Sequence, residues 1–177
     1  ISIAAEADGQ LVAGVVVDPL SGEEFCAALG HGTTRNGVDV QVSRAEDLSS
    51  ALLATGFSYE PSNRKLQARV LVHLLPQIRD IRRMGGAAVD LASVACGRVD
   101  AYYERGLNHW DRAAGTLIVT EAGGRVTDLE GRNLNGPSLR SAQVTVAAPT
   151  SLHGPLLDLL RLSESSSSVR SGQEASP

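Results

Sequence analysis

The sequence predicts a mixed α/β protein in unequal parts, and three observations carry that prediction. Residues 1–43 hold short alternating or β-branched runs joined by tight turns, the pattern of antiparallel strands. From residue 44 to 162, apolar strands alternate with stretches of helical period, which predicts a sheet covered by helices on both faces. From Ser163 to Pro177, seven of fifteen residues are serine and only Val169 is a sizeable apolar side chain. Such a segment cannot bury enough surface to offset the entropy of ordering, so a disordered tail is expected at 163–177. It could carry a regulatory phosphorylation site.

The elements follow in order. Ile1-Ser2-Ile3 alternates, Asp8-Gly9 is a hairpin-type turn, and Leu11 to Val17 is a β-branched run. Asp18-Pro19-Leu20-Ser21-Gly22 is a second turn before Phe25 to Leu29, and Asn36-Gly37 reverses the chain ahead of Val38 to Val42. A strand beginning at residue 1 is expected to lie at a raw edge unless other strands flank it. Leu52 to Thr55 reads as a strand and Pro61 to Leu75 as a helix, with Leu66, Val70 and Leu74 on its buried face. Ile78 to Arg82 reads as a strand. Ala88, Leu91, Ala92 and Ala95 mark a helix closed by Gly97. A strand over Val99 to Tyr103 leads to a helix over Asp111 to Ala122, ended by Gly123-Gly124. Strands at Val126 and Val144 to Ala147 precede a last helix carrying Leu152, Leu156, Leu159 and Leu160.

Composition excludes several classes of function. The net charge is −4 with no basic run, which argues against a nucleic-acid binder held by phosphate contacts. No run approaches the ~18 apolar residues of a membrane span, and no basic-then-apolar leader opens the chain. Two distant cysteines, Cys26 and Cys96, suit neither a disulfide framework nor a zinc site and read as buried small apolar side chains, so a cytoplasmic location is expected. The one methionine is Met84, so the chain is expected to be a portion whose natural start lies upstream of Ile1.

The densest chemistry runs from Ala101 to Gly124. Glu104 follows the strand that ends at Tyr103, and Asp111 opens the next helix. In open α/β sheets, ligands bind at that crest. A carboxylate there can ligate Mg2+, which prefers oxygen; equally, Asp111 can be a helix cap and Glu104 a solvated loop charge. Met84-Gly85-Gly86-Ala87-Ala88 marks another strand-to-helix junction, where glycines let backbone N–H groups approach a ligand or simply make a tight connection. Arg82 and Arg83 precede it and could attract phosphate. His31, His73 and His153 have no metal-ligand spacing and read as structural or surface residues. His109 reads as packing around the site, and Asp90 and Asp100 as residues that hold local structure.

Trp110-Asp111-Arg112-Ala113-Ala114-Gly115 followed by Glu121-Ala122-Gly123-Gly124 resembles the W-D-x-A-A-G…E-A-G-G signature of inositol monophosphatases. Gly85 to Ala92 followed by Gly97-Arg98-Val99-Asp100-Ala101-Tyr102-Tyr103-Glu104 is similar to that family's G-[ST]-A-A…G-x-x-D-A-Y-x-E stretch. Ile1 to Val42 resembles the strands completing the family's first domain, so the likeness spans residues 1 to 162. It implies a layered α/β/α/β/α sugar-phosphatase-like fold, here the end of the first antiparallel sheet plus the complete second α/β domain. It also implies a Mg2+-dependent phosphomonoesterase acting on myo-inositol monophosphate, commonly a homodimer.

Carried over by motif position, Asp111 is implied as a metal ligand lying near a substrate hydroxyl. Glu104 is implied as an acceptor for inositol hydroxyls, and Gly85, Gly86 and Ala87 as backbone contacts to substrate. Gly86 replaces the usual Ser or Thr and removes a hydroxyl. The family's early-helix glutamate and its D-P-[ILV]-D-G-T segment are absent. Asp18-Pro19-Leu20-Ser21-Gly22-Glu23 is no substitute, because Ser21 and Glu23 stand where Asp and Thr are needed; it reads as a hairpin turn. No catalytic residue is therefore assigned in this chain, which is expected to be inactive alone. Two alternatives stand: a truncated, inactive binding or dimerisation module, or a related phosphatase acting on histidinol phosphate or bisphosphorylated nucleotides.

Overall fold

The computed structural model describes residues 1–136 and 142–170, with side chains described as far as Glu164. Five strands form an antiparallel meander in sequence order: β1 (Ser2–Ala7), β2 (Gln10–Asp18), β3 (Glu23–Ala28), β4 (Thr33–Arg35) and β5 (Val38–Val40). Both short hairpins use residues suited to a left-handed backbone. Asp8 and Gly9 have φ of 49° and 77°, and Asn36 and Gly37 have 50° and 76°, as a two-residue turn matched to strand twist requires. The Asp18–Gly22 segment is the hairpin turn expected. The Asp18 carboxylate accepts from Ser21 Oγ at 2.7 Å and Leu20 N at 3.0 Å, which holds its carboxyl below the usual range. β1 is an edge strand, and all six of its residues are exposed.

The second sheet contains β6 (Leu52–Thr55), β7 (Asp80–Arg82), β8 (Ala101–Arg105), β9 (Gly124–Thr127) and β10 (Val144–Pro149), in the order β7-β6-β8-β10-β9. β6 runs parallel to β7 and β8, whereas β10 is antiparallel to β8 and β9. Four helices complete the described fold: α1 (Pro61–Leu74), α2 (Ala87–Ala95), α3 (His109–Glu121) and α4 (Thr150–Arg170).

Two apolar cores set the layers. Leu11, Val16 and Phe25 of the first sheet meet Leu91, Leu117 and Ile118 of α2 and α3, and Tyr102 closes that core from β8. On the opposite face, Leu53, Tyr103 and Val146 pack under Val70 and Leu74 of α1 and Leu152, Leu156 and Leu160 of α4. Adjacent Tyr102 and Tyr103 thus serve different cores, as the two-residue period of a strand dictates. The stacking is sheet, helix pair, sheet, helix pair, the layered α/β class expected from the sequence.

Several details differ from the sequence reading. α1 buries Gln67, Val70 and Leu74, while Leu66 is 42% exposed. The Gln67 amide is used twice, accepting from Ser58 N at 2.9 Å and donating to Gly56 O at 3.1 Å. α4 continues to Arg170, into the segment expected to be disordered, because Ser163 is buried and Glu164 pairs with Arg105 and accepts from Tyr103 Oη at 3.0 Å. The rest of that expected tail, 171–177, lies outside the described residues. Cys26 and Cys96 are free thiols at half-buried positions rather than buried ones. Asp100 does hold local structure, accepting from Leu52 N at 2.7 Å. Asp90 does not, because neither of its carboxylate oxygens has a hydrogen-bond partner among the described residues.

Glu121 ties the two halves together. Its carboxylate accepts from Gly30 N at 3.0 Å and Gly32 N at 2.9 Å, closing the loop before β4 onto the end of α3. Glu121→Ala is expected to cost about 1 kcal/mol, the net worth of partly exposed hydrogen bonds to a charged group. Faster amide exchange confined to Gly30 and Gly32 checks it; unchanged exchange there would show the loop is held by other contacts.

Candidate functional site

The carboxyl end of β6 and β8 and the starts of α2 and α3 converge on one cavity of about 640 Å3. Its wall includes Gly85, Gly86, Ala87, Glu104 and Asp111, so five residues scattered over 27 positions of sequence share a single opening. Connections that leave the carboxyl ends of parallel strands deliver the following helix starts to the same edge of the sheet.

Each residue is positioned by local chemistry. Glu104 lies inside β8 rather than after it, paired with Thr145 of β10. Its Oε2 accepts from Tyr102 Oη at 2.5 Å. Burial raises the Glu104 carboxyl, while the Tyr102 hydrogen bond and Arg83 oppose that rise. Tyr102 is itself pushed well above its ordinary value by burial and by the adjacent Glu104. Gly56 makes this packing feasible: a Cβ there would fall 2.2 Å from Glu104 Oε2, so glycine is the residue that lets the carboxylate lie against β6. Gln67 anchors the same stretch through Gly56 O and Ser58 N.

Asp111 is not the N-cap of α3. The helix begins at His109 after Asn108, and Asp111 Oδ2 accepts from Asn108 N at 2.9 Å. That reciprocal bond is half of a capping box, and it leaves Oδ1 without this tie. His109 Nε2 lies 3.3 Å from Glu6 Oε2, linking α3 to β1. Arg82 pairs with Asp80 away from the cavity, whereas the Arg83 guanidinium lies beside Gly85. His153 is buried and bonds Thr127 Oγ1 at 3.0 Å; burial lowers it to about 4, a structural role.

The donor set does not make a magnesium site by itself. Among the described residues, no group of three or more His, Cys, Asp and Glu side chains is placed to hold a metal ion. Mg2+ takes six oxygens in near-octahedral geometry, and Asp111 offers one carboxylate. What the cavity does present is a half-buried carboxylate on one wall and the backbone of a helix start on the other.

Sequence reasoning missed Gly56, Gln67 and Asp90 as parts of this region. Helical spacing points to Leu66 rather than to its polar neighbour, and nothing local marks Gly56. Asp90 stands on the first turn of α2 with 1% exposure, its two carboxylate oxygens unpartnered among the described residues.

Known proteins resemble this chain in sequence and in fold. The pattern of the inositol monophosphatase family matches residues 1–165. Inositol-1-monophosphatase of Mycobacterium leprae is 47% identical over 153 residues, covering 84% of this chain and 52% of that protein. Nus factor SuhB of Xylella fastidiosa is 47% identical over 132 residues, covering 74% of this chain and 48% of that protein. The structure of inositol monophosphatase from Anabaena (Nostoc) superposes with a TM-score of 0.82 at 39% identity, covering 91% of this chain and 63% of that one. The chain spans about half the length of the curated relatives it matches. No helix among the described residues is long and apolar enough to cross a membrane. This chain belongs to the inositol monophosphatase family.

Proposed function

We propose that the chain is the carboxyl-terminal portion of a Mg2+-dependent phosphomonoesterase that hydrolyses myo-inositol monophosphate to inositol and phosphate. The observation that carries this reading is the convergence of Glu104, Asp111 and the Gly85–Ala87 backbone on one cavity. Glu104 accepts hydrogen bonds from substrate hydroxyls, and the Gly86 and Ala87 N–H groups at the start of α2 donate to substrate oxygen. Together they fix the polyol's orientation, which is where a positioning surface lowers a reaction barrier. Asp111 contributes one oxygen to a metal site whose other ligands come from outside this chain. The protein works in the cytoplasm as a homodimer, and its substrate is a small phosphorylated polyol.

The test is Mg2+-dependent phosphate release from inositol 1-phosphate by the full-length gene product that contains this chain. Asp111→Asn is expected to lower that release by at least a hundredfold, on the order of the several kcal/mol that a metal supplies to a phosphoryl transition state. Full activity in the variant would remove Asp111 from the site. The 177-residue chain alone is expected to release phosphate no faster than buffer, and robust turnover by it would overturn the assignment of the missing ligands to another segment.

A further inference from the structure

A second, smaller recess opens beneath the main cavity, with a volume of about 80 Å3. Gly56, Arg83, Gly85, Asp90 and Glu104 line it, and Gly85 and Glu104 are shared with the cavity above. The space is large enough for a hydroxyl-sized group and a water. At its inner wall sits Asp90, buried to 1% exposure, with both oxygens unsatisfied among the described residues. A buried carboxylate without partners is costly, and native folds retain one where a proton, water or ligand completes it. Helix α2 has no structural need of it: Asp90 caps nothing, and the neighbouring Asp100 shows how a structural carboxylate here is satisfied.

We propose that this recess is a binding subsite for a hydrogen-bond-donating substituent of the ligand, with Asp90 and Glu104 as paired acceptors. The proposal rests on the polyol reading above and deepens it, adding Asp90 as a residue that selects which substituent points inward. The chemistry asked for is an X–H donor, either a hydroxyl or an ammonium. Two carboxylates facing one small space suit both. Glu104 already accepts from Tyr102 through Oε2, so its remaining acceptor capacity and both Asp90 oxygens are the groups left to fill. Burial and the nearby Glu104 raise the Asp90 carboxyl to about 7, while Arg83 opposes that rise, so a donor entering the recess displaces a proton held there near neutrality.

The experiment follows the Asp90 and Glu104 side-chain carboxyl carbons by 13C NMR at about pH 7.5, in the full-length gene product that contains this chain. The probes are myo-inositol and, separately, an amino-substituted cyclitol. Both carboxyl signals are expected to move with one shared half-saturation on adding myo-inositol. Asp90→Asn is expected to weaken that binding about tenfold, the loss of one hydrogen bond to a charged group. Movement of Glu104 alone would overturn the subsite and leave the polyol reading in place. Movement of both with the amine alone would support the subsite and overturn the reading of an inositol as the ligand. If neither signal moves with either probe, both fall. Because the wild-type chain carries this readout, it stands whether or not the variant folds.

Discussion

Asp90→Asn is expected to stabilise the folded chain at pH 8 and to leave it nearly unchanged at pH 4. The Asp90 carboxyl is raised by burial, and next by Glu104, from 3.8 to about 7 in the folded chain. Between those values the folded state holds a proton that the unfolded state has released. Stability therefore falls as pH rises from about 4 to 7, and the full penalty is present above 7. Carrying that proton across the whole interval corresponds to on the order of 4 kcal/mol, or roughly 10 °C in the melting midpoint of a domain this size. An amide of nearly the same shape removes the charge, and with it this group's share of the slope. Urea unfolding of both proteins at pH 4, 6 and 8 measures the difference directly. A variant less stable than the parent at pH 8 would mean that the carboxylate holds the fold together, and the recess would lose its functional reading.

Gly115→Val is expected to lower the unfolding free energy by about 3 kcal/mol, and Gly115→Ala by about 1–2 kcal/mol. Helix propensity alone predicts the opposite for alanine, a gain of about 1 kcal/mol over glycine. Packing reverses the sign. A Cβ on Gly115 would lie 2.7 Å from both Cβ and Cδ1 of Leu91, and Leu91 is fully buried. Its Cβ belongs to the stem of the side chain, so no rotamer change clears the contact, and α2 and α3 must separate. Those helices are clamped between the two sheets, where separation opens voids on both sides. Combining Gly115→Ala with Leu91→Ala takes away the Cδ1 contact and keeps the Cβ one, so it should recover only part of the loss, and the coupling energy of that double-mutant cycle measures the Cδ1 share of the clash. Additive effects would show that the outer carbons of Leu91 do not meet the added Cβ.

The regular elements are readable from the chain because their signals are local. Asp8-Gly9 and Asn36-Gly37 are turns wherever they occur between β-branched runs, and the structure gives all four residues positive φ. The helix expected from Asp111 begins at His109, and the strand expected to end at Tyr103 runs to Arg105, within the usual latitude of terminal turns. Leu66 shows the limit of that reading. Apolar spacing of four points to it, but α1 turns Gln67 inward because the loop at Gly56 and Ser58 needs a buried amide to satisfy its backbone. The segment from Ser163 to Arg170 shows another limit: Glu164 finds Arg105 and Tyr103, partners 59 and 61 residues away that composition cannot foresee.

Sequence by itself determined the class of this protein, its strand and helix order apart from β4, and the residues that resemble a phosphatase signature, because each of these rests on residue type and spacing. The tertiary structure decided which residues share a cavity. Gly85, Gly86, Ala87, Glu104 and Asp111 meet only because the chain connections bring the starts of α2 and α3 to the same sheet edge. It also decided the state of Asp90. On the sequence, Asp90 is an ordinary helical carboxylate; in the fold it is buried in a recess beside Glu104 with no hydrogen-bond donor on either oxygen among the described residues. Desolvation is a property of what surrounds a group, so no spacing along the chain could have announced it.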